Sequence, residues 1–243
     1  LEIESGSNDP TAIFLTIAFV GALKGSPVDV PGVIGGFASQ MLLGVLGGWL
    51  VGRGGVLLMR SLKLDAEGLY HAVSLSVVLM SFGFTALIGG NGFLAVYVAG
   101  IAFGNGEFRQ RKGLRRFHDG IAWLMQIVLF VGLGLLVFPS QLPEVALAGI
   151  VVSAALMFVA RPIGVVLSLL PFRVPWREQT LIAWSGLRGA VPIVLATYPL
   201  LEGVPRAQEY FNLVFFVVLF SALAQGTTIP LFAQRLGLVR TPS

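Results

Sequence analysis

Four ionisable residues lie in or beside long apolar stretches of this sequence: Glu4, Asp9, Arg161 and Arg188. A charged side chain at membrane depth costs free energy, so such residues are candidates for function. A buried carboxyl group binds a proton or a cation, whereas a carboxylate beside an arginine stays ionised because the positive charge lowers its pKa. These residue types therefore indicate binding or exchange of small cations.

Asp9 lies between Asn8 and Pro10. A helical proline has no N–H, so the carbonyl of Gly6, four residues earlier, loses its usual donor. Ser5 lies about one helical turn before Asp9. A hydroxyl, a carboxylate and a carbonyl are hard oxygen ligands, which suit alkali cations. Asp9 and Ser5 are therefore the predicted ligands of an alkali metal cation, and Asp9 is also the predicted proton carrier.

The four ionisable residues can reach similar depths in a bilayer. At about 1.5 Å of rise per residue from the outer helix ends, Asp9 lies about 21 Å deep and Arg188 about 18 Å. The same geometry places Glu4 about 29 Å and Arg161 about 24 Å deep, which favours an ion bridge between these two. The alternative is that Glu4 and Asp9 lie in a loop and only residues 11–23 are embedded.

A second polar break occurs at residues 185–192, SGLRGAVP. Pro192 removes the helical donor for the carbonyl of Arg188, and Gly186 and Gly189 flank that arginine. The run predicts a discontinuous helix, and such interruptions mark binding sites in secondary transporters. A kink tolerated in an ordinary helix is the alternative.

The composition identifies the solvent around these groups. Hydrophobic residues make up 56% of the 243 residues, 31 residues are glycine and 12% are charged, which is about half the charged share of soluble domains. A water-soluble globular protein is therefore excluded. A helix needs roughly 20 apolar residues to span the hydrocarbon core, and this criterion predicts an all-α integral membrane bundle of about eight transmembrane helices. The segments are residues 5–23, 30–52, 69–88, 92–103, 120–138, 145–170, 179–200 and 210–232.

The positions of the sixteen Lys and Arg residues predict the orientation. If all eight segments span, twelve of these residues lie on one side and only Lys24 and Arg206 on the other. By the positive-inside rule the first side is cytoplasmic, which also places the C-terminus in the cytoplasm. The twelve are Arg53, Arg60, Lys63, Arg109, Arg111, Lys112, Arg115, Arg116, Arg173, Arg177, Arg235 and Arg240.

Three local patterns add detail. The dense basic run 109–116 predicts a cytoplasmic loop that meets anionic lipid headgroups rather than nucleic acid. Asp119 is the predicted N-cap of the helix that follows it. Gly44, Gly48 and Gly52 recur every four residues, which predicts the close approach of a neighbouring helix.

The sequence contains no familiar catalytic motif. It has no cysteine and only two histidines, which excludes thiolate chemistry and argues against a histidine metal cluster. Zinc-protease, nucleophile-elbow and P-loop patterns are absent from the sequence. We therefore expect neither an enzyme nor a cofactor. A cation channel is one alternative function, and a membrane-embedded enzyme is disfavoured because no nucleophile and base pair occurs among the embedded residues.

Around Asp9 the sequence resembles the Asn-Asp motif helix of the NhaP-type monovalent cation:proton antiporters, and most closely their potassium/proton branch named for cell volume regulation. The similarity covers nearly the whole chain. It is carried by residues 1–10 (LEIESGSNDP), 92–97 (GFLAVY), 119–124 (DGIAWL), 186–192 (GLRGAVP) and 225–227 (QGT).

The resemblance implies a role for each candidate residue. Asp9 would bind the cation and the proton alternately, with Ser5 as a ligand and Asn8 as a structural neighbour. An ion bridge would join Glu4 to Arg161. The remaining candidate, Arg188, would lie in the second unwound helix.

The resemblance also implies an architecture of thirteen helices in two inverted repeats. Residues 1–23 would be the last helix of the first repeat, 24–60 the connecting helix, 61–236 the six helices of the second repeat and 237–243 a stub of the cytoplasmic tail. We accordingly expect this chain to be a piece of a longer protein, in which the missing part carries the other half of the ion site.

The activity implied by the resemblance is exchange of K⁺ for H⁺ by alternating access in a bacterial inner membrane. The exchange would be electroneutral, because an Asn-Asp pair has one titratable group fewer than an Asp-Asp pair. Such exchange would serve cation and pH homeostasis and cell volume regulation. A sodium-selective antiporter is the alternative within the same class. We expect a homodimer in contact with membrane lipid, and no nucleic-acid partner.

Overall fold

The structure, a computed structural model, describes residues 2–25, 29–172, 174–186 and 189–238, with side chains from residue 8 onward. Within these ranges it consists of helices and their connections. A π-helical turn, Leu156–Ala160, joins α6 to α7, and short 3₁₀ turns at Pro139–Gln141 and Leu170–Phe172 flank that pair. The helices are α1 (Glu2–Leu23), α2 (Val30–Ser61), α3 (Glu67–Leu87), α4 (Gly92–Gly104), α5 (Arg111–Leu135), α6 (Leu142–Ala155), α7 (Arg161–Leu169), α8 (Trp176–Trp184), α9 (Val191–Leu201) and α10 (Ala207–Arg235).

Each of the eight predicted apolar segments corresponds to one helix or to two consecutive helices. Five helical stretches are long and apolar enough to cross a membrane: α2, α3, α5, Pro139–Phe172 and α10. Three shorter apolar helices accompany them in the described chain: Asn8–Leu23 within α1, α4 and α9. The predicted all-helical membrane fold is thus confirmed, while spanning by the three shorter helices stays a prediction.

Helix α5 begins earlier than predicted. It starts at Arg111, so Asp119 lies inside the helix and the N-cap prediction is wrong. Most of the basic run, from Arg111 to Arg116, forms the first turns of α5 rather than a loop. The reason is that hydropathy detects only the part of a helix in hydrocarbon, whereas backbone hydrogen bonds continue into the interface, where arginine is tolerated.

Large apolar side chains are exposed along most of the helices. Leu87 is 87% exposed and Leu135 is 81% exposed. Exposure on this scale is unfavourable in water, by roughly 25 cal/mol for each Å² of apolar surface. The same surface is compatible with lipid, which agrees with an integral membrane protein.

The chain forms two compact units, Leu1–Val128 and Leu129–Ser243. In the first unit α2 packs along α3 and α4, and α1 packs on α4 and α2. The glycine pattern explains how α2 and α4 come together. A Cβ on Gly48 would lie 2.7 Å from the Cα of Ala95, and one on Gly52 would lie 2.8 Å from the Cα of Ala99.

These distances are shorter than van der Waals contact, so only glycine permits this approach of the two backbones. Gly44 is similarly close to the turn before α4, since a Cβ there would lie 3.0 Å from the carbonyl oxygen of Asn91. The predicted close approach is therefore confirmed, and α4 is the neighbour. Tight van der Waals packing of this kind stabilises helix pairs in lipid, where the hydrophobic effect contributes little.

A small apolar cluster anchors the start of α5 in the first unit. Met59, Tyr70 and Leu114 are buried against one another, at 2%, 6% and 2% exposure. The Tyr70 hydroxyl donates to the carbonyl of Leu62 at 3.1 Å and accepts from the N–H of Leu64 at 3.0 Å. The connection between α2 and α3 is thereby joined to α5 at the end of the unit that carries the basic residues.

The second unit has its core around α9 and α10. Helix α10 packs against α6, α8 and α9, and Gly149 of α6 meets the ring of Phe216 directly. An amide pair also crosses this unit, since Asn212 Nδ2 donates to Gln141 Oε1 at 2.9 Å. One buried apolar cluster of this unit consists of Leu133, Val137, Ala190, Ile193, Ala196, Phe211 and Val218.

The contact of α2 with α4 leads to a test of packing. We expect Gly48→Ala to lower the free energy of unfolding by about 1–3 kcal/mol, because the new methyl group meets the backbone of Ala95 and cannot be accommodated by a side-chain rotation. The measurement is thermal unfolding of the detergent-solubilised protein. Gly54→Ala is the matched control, because a Cβ there meets nothing within 4 Å and alanine favours the helix. Equal midpoints for the two variants would contradict the close-approach interpretation.

Candidate functional site

Asp9 lies within a continuous helix. Helix α1 runs from Glu2 to Leu23 with Pro10 inside it, so the alternative in which residues 4–9 form a loop is wrong. The Asp9 side chain is half-buried, Pro10 is buried and Asn8 is exposed. A carboxyl group is thus held in a helix whose C-terminal half, from Ala12 onward, is largely apolar.

Asn91 connects the helix that bears Asp9 to the rest of the first unit. Its side-chain Nδ2 donates to the carbonyl of Pro10 at 3.4 Å, and its Oδ1 accepts from the N–H of Leu94 at 3.0 Å. Its backbone N–H donates to the carbonyl of Gln40 at 3.0 Å. Asn91 is only 6% exposed, so a single buried side chain caps α4 and holds the residue next to Asp9.

Asn91 is not among the site residues predicted from the sequence. The signal available was an asparagine directly before an apolar run, which is a typical N-cap position. That signal predicts the cap of α4. The contact with α1 depends on a pairing of residues far apart in the chain, which no local pattern contains.

Arg161 lies in the second unit, where a π-helical turn meets α7. Such turns occur frequently at functional positions because they displace a side chain from the regular helical register. The half-buried Arg161 side chain packs against Gly186. A Cβ on Gly186 would lie 2.7 Å from the guanidinium carbon, so glycine leaves the space that the guanidinium occupies.

The break predicted at residues 185–192 is present. Helix α8 ends at Trp184 and α9 begins at Val191, which confirms the discontinuous helix. Pro192 lies in the first turn of α9. A backbone N–H at that position would have no acceptor within the helix, so proline removes no hydrogen bond there. The predicted broken helix is therefore a pair of short helices rather than one kinked helix.

The end of α8 is held firmly against α10 by Trp184. Its indole Nε1 donates to Thr228 Oγ1 at 2.9 Å, and its ring stacks on Phe232 with centroids 4.6 Å apart. Phe158, in the π-helical turn, packs on the same ring at 5.8 Å. The tryptophan therefore fixes the helix end from which the broken segment departs, close to the guanidinium of Arg161.

Several predicted roles concern groups beyond the described part of the structure. The side chains of Glu4 and Ser5, and the whole of Arg188, lie outside the described residues. The bridge from Glu4 to Arg161 and the ligand role of Ser5 stay predictions. Within the described residues, the candidate groups are Asp9 on α1 in the first unit and Arg161 beside the break in the second.

Comparison with known proteins agrees with the resemblance. The family described as "Sodium/hydrogen exchanger, transmembrane" matches residues 1–235. The K(+)/H(+) antiporter NhaP of Alkalimonas amylolytica is 44% identical over 98% of this chain and 41% of its own length. The K(+)/H(+) antiporter NhaP2 of Shewanella oneidensis is 43% identical over 100% of this chain and 42% of its own length.

A more distant relative is the Na(+)/H(+) antiporter ApNhaP of Aphanothece halophytica. It is 27% identical over 98% of this chain and 48% of its own length. The chain thus spans about two fifths of the potassium/proton relatives. The half-buried carboxyl group beside a proline and the broken helix lie within the region that these relatives share, and the chain belongs to the sodium/hydrogen exchanger family as a member of the NhaP type.

Proposed function

We propose that the full-length protein exchanges a monovalent cation for a proton, one for one and electroneutrally, by alternating access. The observation that carries this proposal is Asp9, a half-buried carboxyl group beside a buried proline within helix α1. Such a group is neutralised either by a proton or by a cation, and competition between the two is sufficient for exchange. The two close relatives named as antiporters support it.

The other candidate residues have supporting roles in this proposal. Ser5 supplies an oxygen ligand to the cation, and Asn8 supports the site from its neighbouring position. Glu4 forms a structural ion bridge with Arg161, whose guanidinium already packs at the helix break. In such a bridge Glu4 stays ionised and does not compete with Asp9 for the transported proton.

Potassium is the proposed cation. The relatives that are 43–44% identical carry the name K(+)/H(+) antiporter, whereas the relative named for sodium is only 27% identical. Oxygen ligands do not by themselves separate the two ions, because cavity size and ligand number decide selectivity. Sodium therefore remains the competing cation to measure.

The proposed setting is a bacterial inner membrane with the C-terminus in the cytoplasm, as the excess of Lys and Arg on one side supports. We also propose a homodimer, in line with the antiporter resemblance. Within each subunit, residues 1–23 would end the first inverted repeat, 24–60 would connect the repeats, 61–236 would form the second repeat and 237–243 would enter the tail.

Removing the carboxyl group of Asp9 tests the function directly. We expect Asp9→Asn in the full-length protein to reduce K⁺-induced proton movement to background, because an amide can neither release a proton nor neutralise a cation. The measurement is fluorescence of a pH-sensitive dye in everted membrane vesicles on addition of K⁺ or Na⁺.

Asp65→Asn is the matched control for that variant. Asp65 is an exposed carboxylate in the connection between α2 and α3, so its loss removes the same charge away from the site and should leave transport unchanged. Transport by Asp9→Asn at the level of the wild type would refute the proposal.

The contact of Arg161 with Gly186 gives a second test. We expect Gly186→Ala to displace the flexible guanidinium with little effect on stability. Transport should fall on the order of tenfold, because shifting a positioned group by about 1 Å is costly to function. Gly189→Ala is the control in the same broken segment, since a Cβ there meets nothing within 4 Å. Full transport by both variants would show that the position of Arg161 is unimportant.

The two hydrogen bonds of the Asn91 side chain can be separated. Asn91→Ala removes both, and loss of an N-cap lowers stability by about 0.5–2 kcal/mol. Asn91→Ser keeps an oxygen for the N–H of Leu94 but shortens the side chain away from Pro10. We expect both variants to raise the K⁺ concentration for half-maximal transport by roughly tenfold, as for other residues that support ion ligands. Only Asn91→Ser should keep the unfolding temperature of the wild type. Restoration of transport by serine would reduce the role of Asn91 to capping.

A further inference from the structure

A cavity of about 470 Å³ lies entirely within the first unit, between α3, the C-terminal half of α4 and the first turns of α5. Its inner wall is apolar. Gly100 and Gly104 also line it, and a Cβ on either would meet nothing within 4 Å. The space is therefore open at the level where α4 ends. The apolar wall residues are Val77, Val78, Val96, Ala99, Ile101 and Phe103.

The other end of the cavity is polar and has an excess of positive charge. Arg111 and Arg115, one turn apart on α5, both line it, and Asp119 is the acidic residue among its lining side chains. His118 also lines the cavity, and its Nε2 lies 3.0 Å from Ser74 Oγ. Two permanent positive charges against one carboxylate favour an anion at this end.

Ser74 and His118, which line this end of the cavity, already have hydrogen-bond partners. Ser74 Oγ donates to the carbonyl of His71 at 2.8 Å and also forms a hydrogen bond with His118 Nε2, so both groups already have partners within the protein. The two guanidinium groups are exposed, and guanidinium is suited to bidentate contact with phosphate. They are accordingly the donors available to a bound anion.

The buried residue between the two arginines anchors the stretch of helix that carries them. Leu114 is 2% exposed in the cluster with Met59 and Tyr70, which anchors the first turns of α5. Arg111 and Arg115 lie on either side of this anchor, at the basic side of the membrane predicted to be cytoplasmic. The cavity is therefore apolar towards the membrane interior and cationic at the interface.

We infer that this cavity binds one anionic phospholipid of the cytoplasmic leaflet, with its phosphate at Arg111 and Arg115 and part of an acyl chain between α3 and α4. The charge of the mouth selects an anionic headgroup, and the apolar wall selects an attached chain. The cytoplasmic leaflet contains anionic lipids, and basic residues at the membrane surface attract them. This inference concerns a site separate from Asp9 and does not depend on the transport mechanism.

The arginine pair has a matched control on the same helix. Arg111→Gln with Arg115→Gln removes the two charges that line the cavity, whereas Lys112→Gln with Arg116→Gln removes two charges that do not line it. Native mass spectrometry of the full-length protein, titrated with phosphatidylglycerol in detergent, measures the affinity of the most tightly bound lipid. We expect the first double variant to bind phosphatidylglycerol at least about tenfold more weakly than the wild type, because charge-assisted hydrogen bonds are lost. The second double variant should bind it as the wild type does.

Equal weakening by both pairs would mean diffuse attraction of anionic lipid to a basic surface and would overturn the inference. Phosphatidylcholine and inorganic phosphate are the ligand controls. Binding of phosphatidylcholine as tight as that of phosphatidylglycerol would show that charge plays no part. Displacement of the lipid by inorganic phosphate at comparable concentration would show a simple anion site, and either result would overturn the inference.

A cavity-filling variant tests the acyl chain independently of the arginines. Gly100→Leu places a side chain in the cavity, in the open space that Gly100 lines. Gly83→Leu, on α3, is the control: a Cβ there also meets nothing within 4 Å, but Gly83 does not line the cavity. We expect Gly100→Leu to weaken phosphatidylglycerol binding several-fold with an unchanged unfolding temperature, and Gly83→Leu to bind as the wild type does. Unchanged binding by a folded Gly100→Leu protein would place the lipid elsewhere.

Discussion

Hydrocarbon offers no hydrogen-bond partner to a polar group, and the arrangement of this protein depends on that constraint. Most of the described backbone is accordingly paired inside helices. A buried polar side chain gains stability where a neighbouring helix supplies its partner, as α1 does for the side chain of Asn91 and α2 for its backbone N–H. The same constraint explains why an interrupted helix occurs beside packed neighbours, since the unpaired backbone of a break needs partners from the protein.

Because lipid removes most of the hydrophobic driving force between helices, close contact must supply stability instead. In the first unit, the glycines of α2 let α4 approach until the backbones touch. This rigid contact also determines where Asn91 lies, because the turn that carries it precedes α4. The packing of α2 against α4 thereby positions the residue that holds Pro10, next to Asp9.

The second unit positions its charge by a different device. A π-helical turn precedes Arg161, and the guanidinium occupies the space left by Gly186 at the end of α8. Trp184 holds that helix end through Thr228 and Phe232. The guanidinium of Arg161 is thus placed by an irregular turn, a glycine and an aromatic anchor, each of which fixes one feature of its location.

Local patterns in the sequence determined the membrane class, the close-packing glycines at 44, 48 and 52, the break at residues 185–192 and the candidates Asp9 and Arg161. Each of these follows from interactions between residues near in the chain or from the burial preference of a residue type. Only the tertiary structure decided that α5 begins at Arg111, that a π-helical turn precedes Arg161, and that Asn91 contacts Pro10. The first depends on helical hydrogen bonds that persist beyond the apolar segment, and the contact of Asn91 joins residues 81 positions apart, so neither is encoded in a local pattern of hydropathy.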